Sequence, residues 1–194
     1  MNKIKFENLK TKVIGQKNFY YEQIDSTQKE IWRRVEKEEI DNGTLIVADM
    51  QTAGFGTHGR KWYTEKTNNI AFSLVLFPNC HIDKLNNLTF EIAEIWVNTF
   101  KDLYEIELDI KLPNDLMING KKVGGILTET KLQGNDVRAL VIGVGINTNQ
   151  KELSDEIKDI STSIRNEFNR EVNNYKVIGE FCNRLEARLD NIFL

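Results

Sequence analysis

A glycine-rich segment is the first feature of this sequence that could do chemistry. Residues 54–59 read GFGTHG and are followed by Arg60 and Lys61. The spacing matches G-x-G-x-x-G, but the buried-strand pattern that follows is not the helix start that dinucleotide binding requires. The residues that a P-loop or a protein kinase would need are also absent from the sequence. The backbone N–H groups of the segment could form an anion-binding concavity, and an ordinary surface loop is an equally good interpretation.

A second segment, residues 111–116 (KLPNDL), turns between two predicted strands. Pro113 fixes its own φ and restricts the residue before it, so Asn114 and Asp115 are held at a defined corner. Asp115 carries the type of oxygen ligand that Mg²⁺ prefers. A plain strand connector, built from turn-forming Asn and Asp, accounts for the same residues.

Two glycine-containing strands complete the set of candidate segments. Residues 121–127 read KKVGGIL, and two glycines inside a strand favour either a bulge or the close approach of a ligand. Because side chains alternate along a strand, only one of Lys121 and Lys122 can face a pocket. Residues 141–148 read VIGVGINT, which indicates a buried strand that delivers Asn147 to a rim, or simply a strand that ends in a turn.

Periodicity and turn residues predict the elements that position these segments. Strands are predicted over 19–24, 44–48, 70–77, 106–112, 115–118, 121–129 and 137–146. A helix is predicted to open at 25–27, with Thr27 and Glu30 spaced as a capping box, and others over 84–104 and 175–193. About the last 50 residues are predicted to be helical. Asn119-Gly120 is a hairpin signal, and hairpin strands with helices gathered around them indicate an α+β sheet protein.

Composition excludes several classes of protein. The chain has 194 residues with 40% hydrophobic and 28% charged residues, which is an ordinary globular mixture. No apolar run reaches the length of a membrane span, and the first residues lack the apolar stretch of a signal peptide. Two cysteines cannot build a disulfide framework, and a net charge of −3 disfavours a general nucleic-acid coat. We therefore expect a cytoplasmic protein that binds neither membranes nor nucleic acid.

Taken together and in this order, five segments resemble the catalytic domain of biotin–protein ligases. The matching segments are 24–28 (IDSTQ), 48–62 (ADMQTAGFGTHGRKW), 111–116 (KLPNDL), 120–129 (GKKVGGILTE) and 141–147 (VIGVGIN). The resemblance implies a class II aminoacyl-tRNA synthetase/biotin ligase-like fold, with a mixed, largely antiparallel sheet and packed helices. It also implies that biotin and ATP, with Mg²⁺, form biotinyl-5′-AMP. Biotin would then pass to a lysine of the biotin carboxyl carrier protein or domain of a biotin-dependent carboxylase.

The resemblance assigns a role to each matching position. The biotin-binding residues would be Ser26, Thr27, Gln28, Gln51, Gly54, Phe55, Gly56, Thr57, Lys122 and Gly125. The ATP- or AMP-binding residues would be His58, Arg60, Trp62, Lys111, Asn114, Gly143, Ile146 and Asn147. Lys122, Arg60 and Asp115 would be catalytic, and Asp115 would also be the ligand of Mg²⁺.

The sequence departs from the family pattern in its glycine loop. The usual loop reads Gly-Arg-Gly-Arg-x-Gly-Arg, whereas Phe55 and Thr57 stand here at the first two arginine positions and Arg60 stands at the third. His58 and Lys61 replace that charge only in part, because a histidine is largely neutral at pH 7. We therefore expect weaker retention of biotinyl-AMP than in arginine-rich relatives. The usual tryptophan before the Pro-Asn-Asp is also replaced here, by a leucine.

Two other functions and the domain organisation complete these expectations. A lipoate or octanoate ligase or transferase is thought to share this fold, but its Arg-rich and Gly-Gly-Gly sequence before a His is not seen. A non-catalytic biotin or adenylate sensor would fit the missing loop arginines. We expect a single domain over 1–194, without the DNA-binding domain or the small C-terminal β-domain of some relatives, and hence no repressor activity. The sequence leaves open whether the protein is a monomer or a homodimer.

Overall fold

The computed structural model describes residues 3–63 and 68–193, with side chains up to Leu189. Within these residues the strands are β1 (Asn18–Ile24), β2 (Leu45–Gln51), β3 (Ile70–Leu76), β4 (Cys80–His81), β5 (Asp109–Lys111), β6 (Asp115–Ile118), β7 (Lys121–Gln133) and β8 (Asp136–Ile146). They form one sheet in the order β1-β2-β3-β8-β7-β6-β5, and β4 pairs with β8. The β1–β2 pair is parallel and the other pairs are antiparallel. The predicted α+β class with a largely antiparallel sheet is therefore confirmed.

Four described α-helices cover the two faces of this sheet. They are α1 (Thr27–Glu36), α2 (Leu88–Tyr104), α3 (Ile164–Phe168) and α4 (Asn174–Phe193). On one face, Phe72 of β3 packs with Trp96 of α2 and Phe181 of α4, and the last two rings stack with their centroids 4.1 Å apart. On the other face, Ile31 of α1 packs against Val141 of β8. Burial on both faces explains why β3 and β8 read as continuous apolar runs.

The start of α1 differs from the prediction. The N-cap is Ser26, whose hydroxyl accepts a hydrogen bond from the N–H of Lys29 at 3.4 Å. Thr27 is the first helical residue, and its hydroxyl is instead turned toward Ser73 of β3, 2.9 Å away. The predicted Thr27–Glu30 capping box is therefore wrong, because Ser26 is the cap and the Glu30 carboxylate accepts from Arg33 and Arg34.

Two further predicted elements are shorter than expected. The strand predicted over 106–112 is limited to β5, since 106–108 lead into the sheet with Ile106 and Leu108 buried in the core. The segment 147–163 is not helical, although we predicted helix there. Its backbone pairs with β7, where Lys122 N–H donates to Ile160 O at 2.9 Å and Thr162 N–H donates to Lys122 O at 2.8 Å. None of the described helices has the length and apolar character that crossing a membrane requires.

The turns predicted from short motifs are present. Asn119 and Gly120 both have positive φ, 50° and 77°, and join β6 to β7 as the hairpin signal indicates. The 111–116 corner also forms, with a cis peptide bond between Leu112 and Pro113. These two turns fold β6 back on β5 and β7 back on β6, so the corner lies beside β7.

Candidate functional site

A cavity of about 510 Å³ opens over the sheet where the predicted segments meet. This volume lies within the range of small-molecule binding sites, roughly 300–1,000 Å³. The predicted site residues on its wall are Ser26, Thr27, Gln28, Gln51, Phe55, Gly56, Thr57, Arg60, Trp62, Lys111, Asn114, Asp115, Lys122, Gly125, Gly143 and Asn147. Gly54, His58 and Ile146 are not among the described residues that line it. The side chain of Ile146 is completely buried in the core.

One end of the cavity is neutral and rich in hydrogen-bonding groups. Gln51 Oε1 accepts from the backbone N–H of Thr27 at 2.9 Å, and the Thr27 hydroxyl lies 3.2 Å from the same oxygen. The hydroxyls of Thr27 and Ser73 are 2.9 Å apart, and Ser73 donates to Gln28 Oε1 at 2.8 Å. These side chains lie on α1, β2 and β3. Their mutual hydrogen bonds therefore fix a polar surface at the N-terminal end of a helix.

The start of α1 is held from outside the cavity by an ion pair. Arg33 donates two hydrogen bonds to the carboxylate of Asp25, at 2.9 and 2.8 Å. The backbone N–H of Ser26 donates a third bond to the same carboxylate at 2.8 Å. The Arg33 hydrogen bonds, assisted by the one from Ser26, lower the pKa of Asp25 from 3.8 to about 2. Asp25 therefore stays ionised near neutral pH and keeps Ser26 and Thr27 in position.

The other end of the cavity carries charge. Lys122 Nζ lies 2.6 Å from Asp115 Oδ1, and the two side chains are 29% and 18% exposed. The Lys122 ammonium is also 5.7 Å from the centre of the Trp62 ring. Lys122 lines the cavity while the exposed Lys121 does not, as the strand alternation predicts. This arrangement presents a fixed cation to any anionic group that enters.

The corner that carries Lys111 and Asp115 is clamped to β7. Asn114 Nδ2 donates to Ile126 O at 2.7 Å, and Ile126 N–H donates back to Asn114 O at 3.0 Å. Asn114 is buried, so these bonds anchor the backbone on either side of it. The observed contacts give Asn114 a positioning role, and a role in nucleotide binding stays a prediction.

The glycine loop folds back on itself over the cavity. Residues 55 and 61 form a bridge, and Gly56 N–H donates to Arg60 O at 2.8 Å. The Arg60 guanidinium donates to the Thr57 hydroxyl at 3.0 Å, within the loop. Among the described residues on the wall, Arg60 is the one arginine, beside Lys61, Lys111 and Lys122. The cavity is therefore basic at this end even without the two family arginines.

The strand glycines make room for side chains of the protein itself. A Cβ atom on Gly145 would lie 2.4 Å from Trp62 Cε2, and one on Gly143 would lie 2.6 Å from Gln28 Oε1. A Cβ atom on Gly125 would be 3.2 Å from Lys122 Nζ. For the glycines of 121–127 the sequence favoured either a bulge or the close approach of a ligand. The structure shows that Gly125, like Gly143 and Gly145, lies against side chains that form the wall of the cavity.

Sequence reasoning missed one side of the cavity. Residues 157–161 supply Ile157, Asp159, Ile160 and Ser161 to its wall. The segment has no glycine cluster or motif, and its pairing with β7 involves residues nearly forty positions away, so no local signal could reveal it. Ser73 was also missed, because it lies inside an apolar run. A single hydroxyl within a buried strand is a signal that could have identified it.

The acidic residues of the cavity fit a weakly held cation. No group of three or more His, Cys, Asp or Glu that could hold a metal is found among residues 3–63 and 68–193. Asp115 and Asp159 are the carboxylates on the described wall. Mg²⁺ commonly binds through one or two carboxylates together with substrate phosphates and water. The residues present therefore suit an ion that arrives with a nucleotide, not a resident metal.

Comparison with known proteins accounts for this combination of sheet, glycine loop and charged corner. The model of the biotin/lipoate A/B protein ligase family matches residues 20–147. The chain belongs to this family. The match ends at Asn147, so it includes the polar end, the glycine loop, the corner and both glycine strands. The residues on the described wall that lie outside it are those of segment 157–161.

Individual relatives agree with the family assignment. The chain is 40% identical over 182 residues to the bifunctional ligase/repressor BirA of Bacillus subtilis, covering 93% of this chain and 56% of that protein. It is 36% identical over 111 residues to the biotin–[acetyl-CoA-carboxylase] ligase of Paracoccus denitrificans, covering 56% of this chain and 45% of that one. The chain thus spans about half the length of these curated relatives.

A solved structure supports the same fold. The biotin protein ligase of Aquifex aeolicus, in complex with biotin and ATP, superposes with a TM-score of 0.77 at 29% identity. The match covers 92% of this chain and 72% of that one. The biotin ligase-like fold expected from the sequence is therefore confirmed, and the matching region is the catalytic-domain part of the family.

Proposed function

We propose that this chain is an ATP-dependent biotin–protein ligase. It would join biotin to AMP and then transfer biotin to a lysine of a carboxylase's biotin carrier domain. The observation that supports this most directly is a single cavity with a neutral hydrogen-bonding end at Thr27 and a cationic end at Lys122. Biotin has a polar ureido head and a carboxylate at the far end of an apolar chain, so its two ends match the two ends of the cavity.

The first step would bring two anions together at the charged end. A carboxylate oxygen of biotin attacks the α-phosphorus of ATP, the bond to the bridging oxygen breaks, and pyrophosphate leaves. Lys122 would neutralise the carboxylate and the developing charge on the phosphate, and the ion pair with Asp115 supports this by holding the ammonium in place. Mg²⁺, when bound with ATP, would supply further charge neutralisation on the phosphates. Asp115 and Asp159 are the residues that would hold it.

The second step would transfer the acyl group. The neutral ε-amine of the carrier lysine attacks the acyl carbon, the bond to the phosphate oxygen breaks, AMP leaves, and the amine loses one proton. The mixed anhydride must be shielded from water until then. The glycine loop over the cavity and the Trp62 ring against β8 are suited to that shielding.

The decisive experiment weighs a carrier domain after reaction. The chain is incubated with ATP, Mg²⁺ and an apo carrier domain, with either biotin or lipoate, and the carrier is analysed by intact mass spectrometry. A biotinyl mass shift that requires ATP supports the proposal. A lipoyl shift would favour the lipoate-ligase alternative and overturn ours.

A sensor without catalytic activity is the second candidate. Phe55 and Thr57 stand in the loop where relatives carry arginines, and this loss of charge is the observation that favours it. Binding of biotin or biotinyl-AMP without any mass shift on the carrier would select the sensor. The retained Lys122–Asp115 pair supports catalysis, because the first step would develop charge at this end of the cavity.

A further inference from the structure

A carboxylate outside the cavity is joined to its polar end by a chain of hydrogen bonds. Glu129 lies on β7 and is not among the described residues that line the cavity. Its Oε2 accepts from Trp32 Nε1 at 2.8 Å and from Gln28 Nε2 at 2.9 Å. The indole N–H can only donate, so Glu129 Oε2 must act as the acceptor in this cluster.

The acceptor character of Glu129 sets the direction of every bond that follows. It requires the amide nitrogen of Gln28 to face Glu129, and the amide oxygen therefore faces β3. Ser73 donates its one proton to that oxygen at 2.8 Å. The Ser73 hydroxyl can then only accept from Thr27, 2.9 Å away.

The other neighbour of Thr27 imposes the same direction. Gln51 Oε1 accepts from the Thr27 backbone N–H, so this oxygen is also an acceptor beside the Thr27 hydroxyl. The single hydroxyl proton of Thr27 thus faces two acceptors and is used by the protein whichever one it bonds. The Thr27 oxygen is left to offer lone pairs to the cavity, and it can recognise only a hydrogen-bond donor of the ligand.

We infer that Glu129 is a positioning residue for the head-group end: by holding the Gln28 amide, it keeps the Ser73 proton away from Thr27 and leaves the Thr27 lone pairs open to the ligand. The inference rests on the proposed function, since it takes a biotin-like ureido N–H as the donor that Thr27 recognises. Gly143 is part of the same arrangement, because any Cβ there would lie 2.6 Å from Gln28 Oε1 and displace the amide. Because Thr27, Gln28 and Ser73 are buried, bulk water does not compete for these hydrogen bonds and cannot reverse their direction.

Glu129→Leu tests the inference, with Glu129→Gln and Trp32→Phe as matched controls. The leucine removes the acceptor, so the Gln28 amide can turn over and Ser73 can donate to Thr27, which weakens recognition of the ureido N–H. We expect the Kd for biotin, measured by calorimetry, to rise about tenfold, the effect of one lost hydrogen bond. Glutamine still offers an oxygen to both donors, and Trp32→Phe leaves the Gln28 bond intact, so both should bind biotin like wild type. The Kd for ATP should not change in any of the three.

A biotin analogue separates this role from a merely structural one. Biotin methylated on a ureido nitrogen lacks one N–H donor, and wild type should discriminate against the analogue that blocks the recognised nitrogen. Glu129→Leu should discriminate less, because its Thr27 no longer requires a donor. Adding Ser73→Ala to Glu129→Leu removes the hydroxyl that turns toward Thr27, while Gln51 Oε1 still takes the Thr27 proton, so the double variant should regain biotin affinity. If Glu129→Leu does not fold, the wild-type comparison of biotin with its methylated analogue still tests the acceptor role of Thr27.

Three results would overturn the inference. They are wild-type biotin affinity in Glu129→Leu, an equal loss in Glu129→Gln, and a parallel loss of ATP affinity. Failure of the proposed function would look different. A wild-type chain that binds biotin but modifies no carrier would overturn the ligase proposal and leave the comparison of Kd values intact. A wild-type chain that binds no biotin would overturn both.

Discussion

Replacing Lys122 by methionine should remove most of the activity and leave the fold intact. The Lys122–Asp115 pair is 2.6 Å long but partly exposed, so its loss should lower the free energy of unfolding by only about 1 kcal/mol. The catalytic effect should be larger, because no other described cation on the wall is paired with Asp115. Removing one pre-positioned donor from a site of developing charge typically lowers kcat by roughly 10²- to 10³-fold.

The assay must follow both chemical steps. Biotin-dependent exchange of labelled pyrophosphate into ATP reports the first step, and single-turnover transfer from preformed biotinyl-AMP to a carrier reports the second. Lys122→Met should slow both, since both pass through charge at the same end of the cavity. Lys121→Met is the matched control, because Lys121 is the exposed neighbour on the same strand and does not line the cavity.

Two outcomes would refute this reasoning. If exchange by Lys122→Met stayed within about threefold of wild type, Lys122 would not be the stabilising cation. If Lys121→Met lost as much activity, the loss would reflect general charge at that strand and not the position of one ammonium. A circular-dichroism melt of each variant shows whether the fold survived.

Three other changes test the glycine loop, strand β8 and the start of α1. Phe55→Arg with Thr57→Arg adds two cations at the cavity and should slow biotinyl-AMP release at least about tenfold in a gel-filtration retention assay; wild type that already retains the adenylate tightly would contradict this. Gly145→Ala should lower kcat/KM strongly, because its Cβ would lie 2.4 Å from the indole in the cavity, and unchanged kcat/KM would show that the indole moves freely. Arg33→Met should destabilise the protein at neutral pH. The Asp25 pKa is lowered from 3.8 to about 2, so this stabilisation is present above pH 3.8 and disappears as pH falls through about 2. Urea unfolding of both proteins at several pH values should show the difference shrinking over that window.

Local patterns were enough to predict most of the sheet. β3 and β8 are continuous apolar runs, and the Asn119-Gly120 turn fixes the β6–β7 hairpin, so their positions follow from burial and turn geometry. The predicted Thr27–Glu30 capping box was wrong because Ser26 caps α1 and Glu30 pairs with Arg33 and Arg34. Ser and Thr are both good caps and stand side by side here, so the local pattern could not place the helix start to the residue.

The candidate site likewise contains segments that the sequence predicted and one segment that it could not. All five motif segments contribute residues to the cavity, as the resemblance implied, although the role of each residue stays a proposal. The segment 157–161 could not be predicted, since it enters the cavity by pairing its backbone with β7. Backbone pairing carries almost no side-chain signature, so a segment that joins a site in this way leaves no motif to find.

The glycines of β7 and β8 show how this cavity acquires its depth. Three side chains lie against them: Trp62 on Gly145, Gln28 on Gly143 and Lys122 beside Gly125. A Cβ at position 145 or 143 would force the tryptophan or the amide to move, since it would lie 2.4 or 2.6 Å away, whereas at position 125 the ammonium, 3.2 Å away, would need only a small shift. The absence of three Cβ atoms therefore sets the position of the protein's own recognition groups before a ligand arrives. Glycines in a strand can therefore mark a place where the protein's own side chains form a cavity wall, as well as a place where a ligand binds. The atoms that a Cβ would meet at each glycine distinguish the two cases.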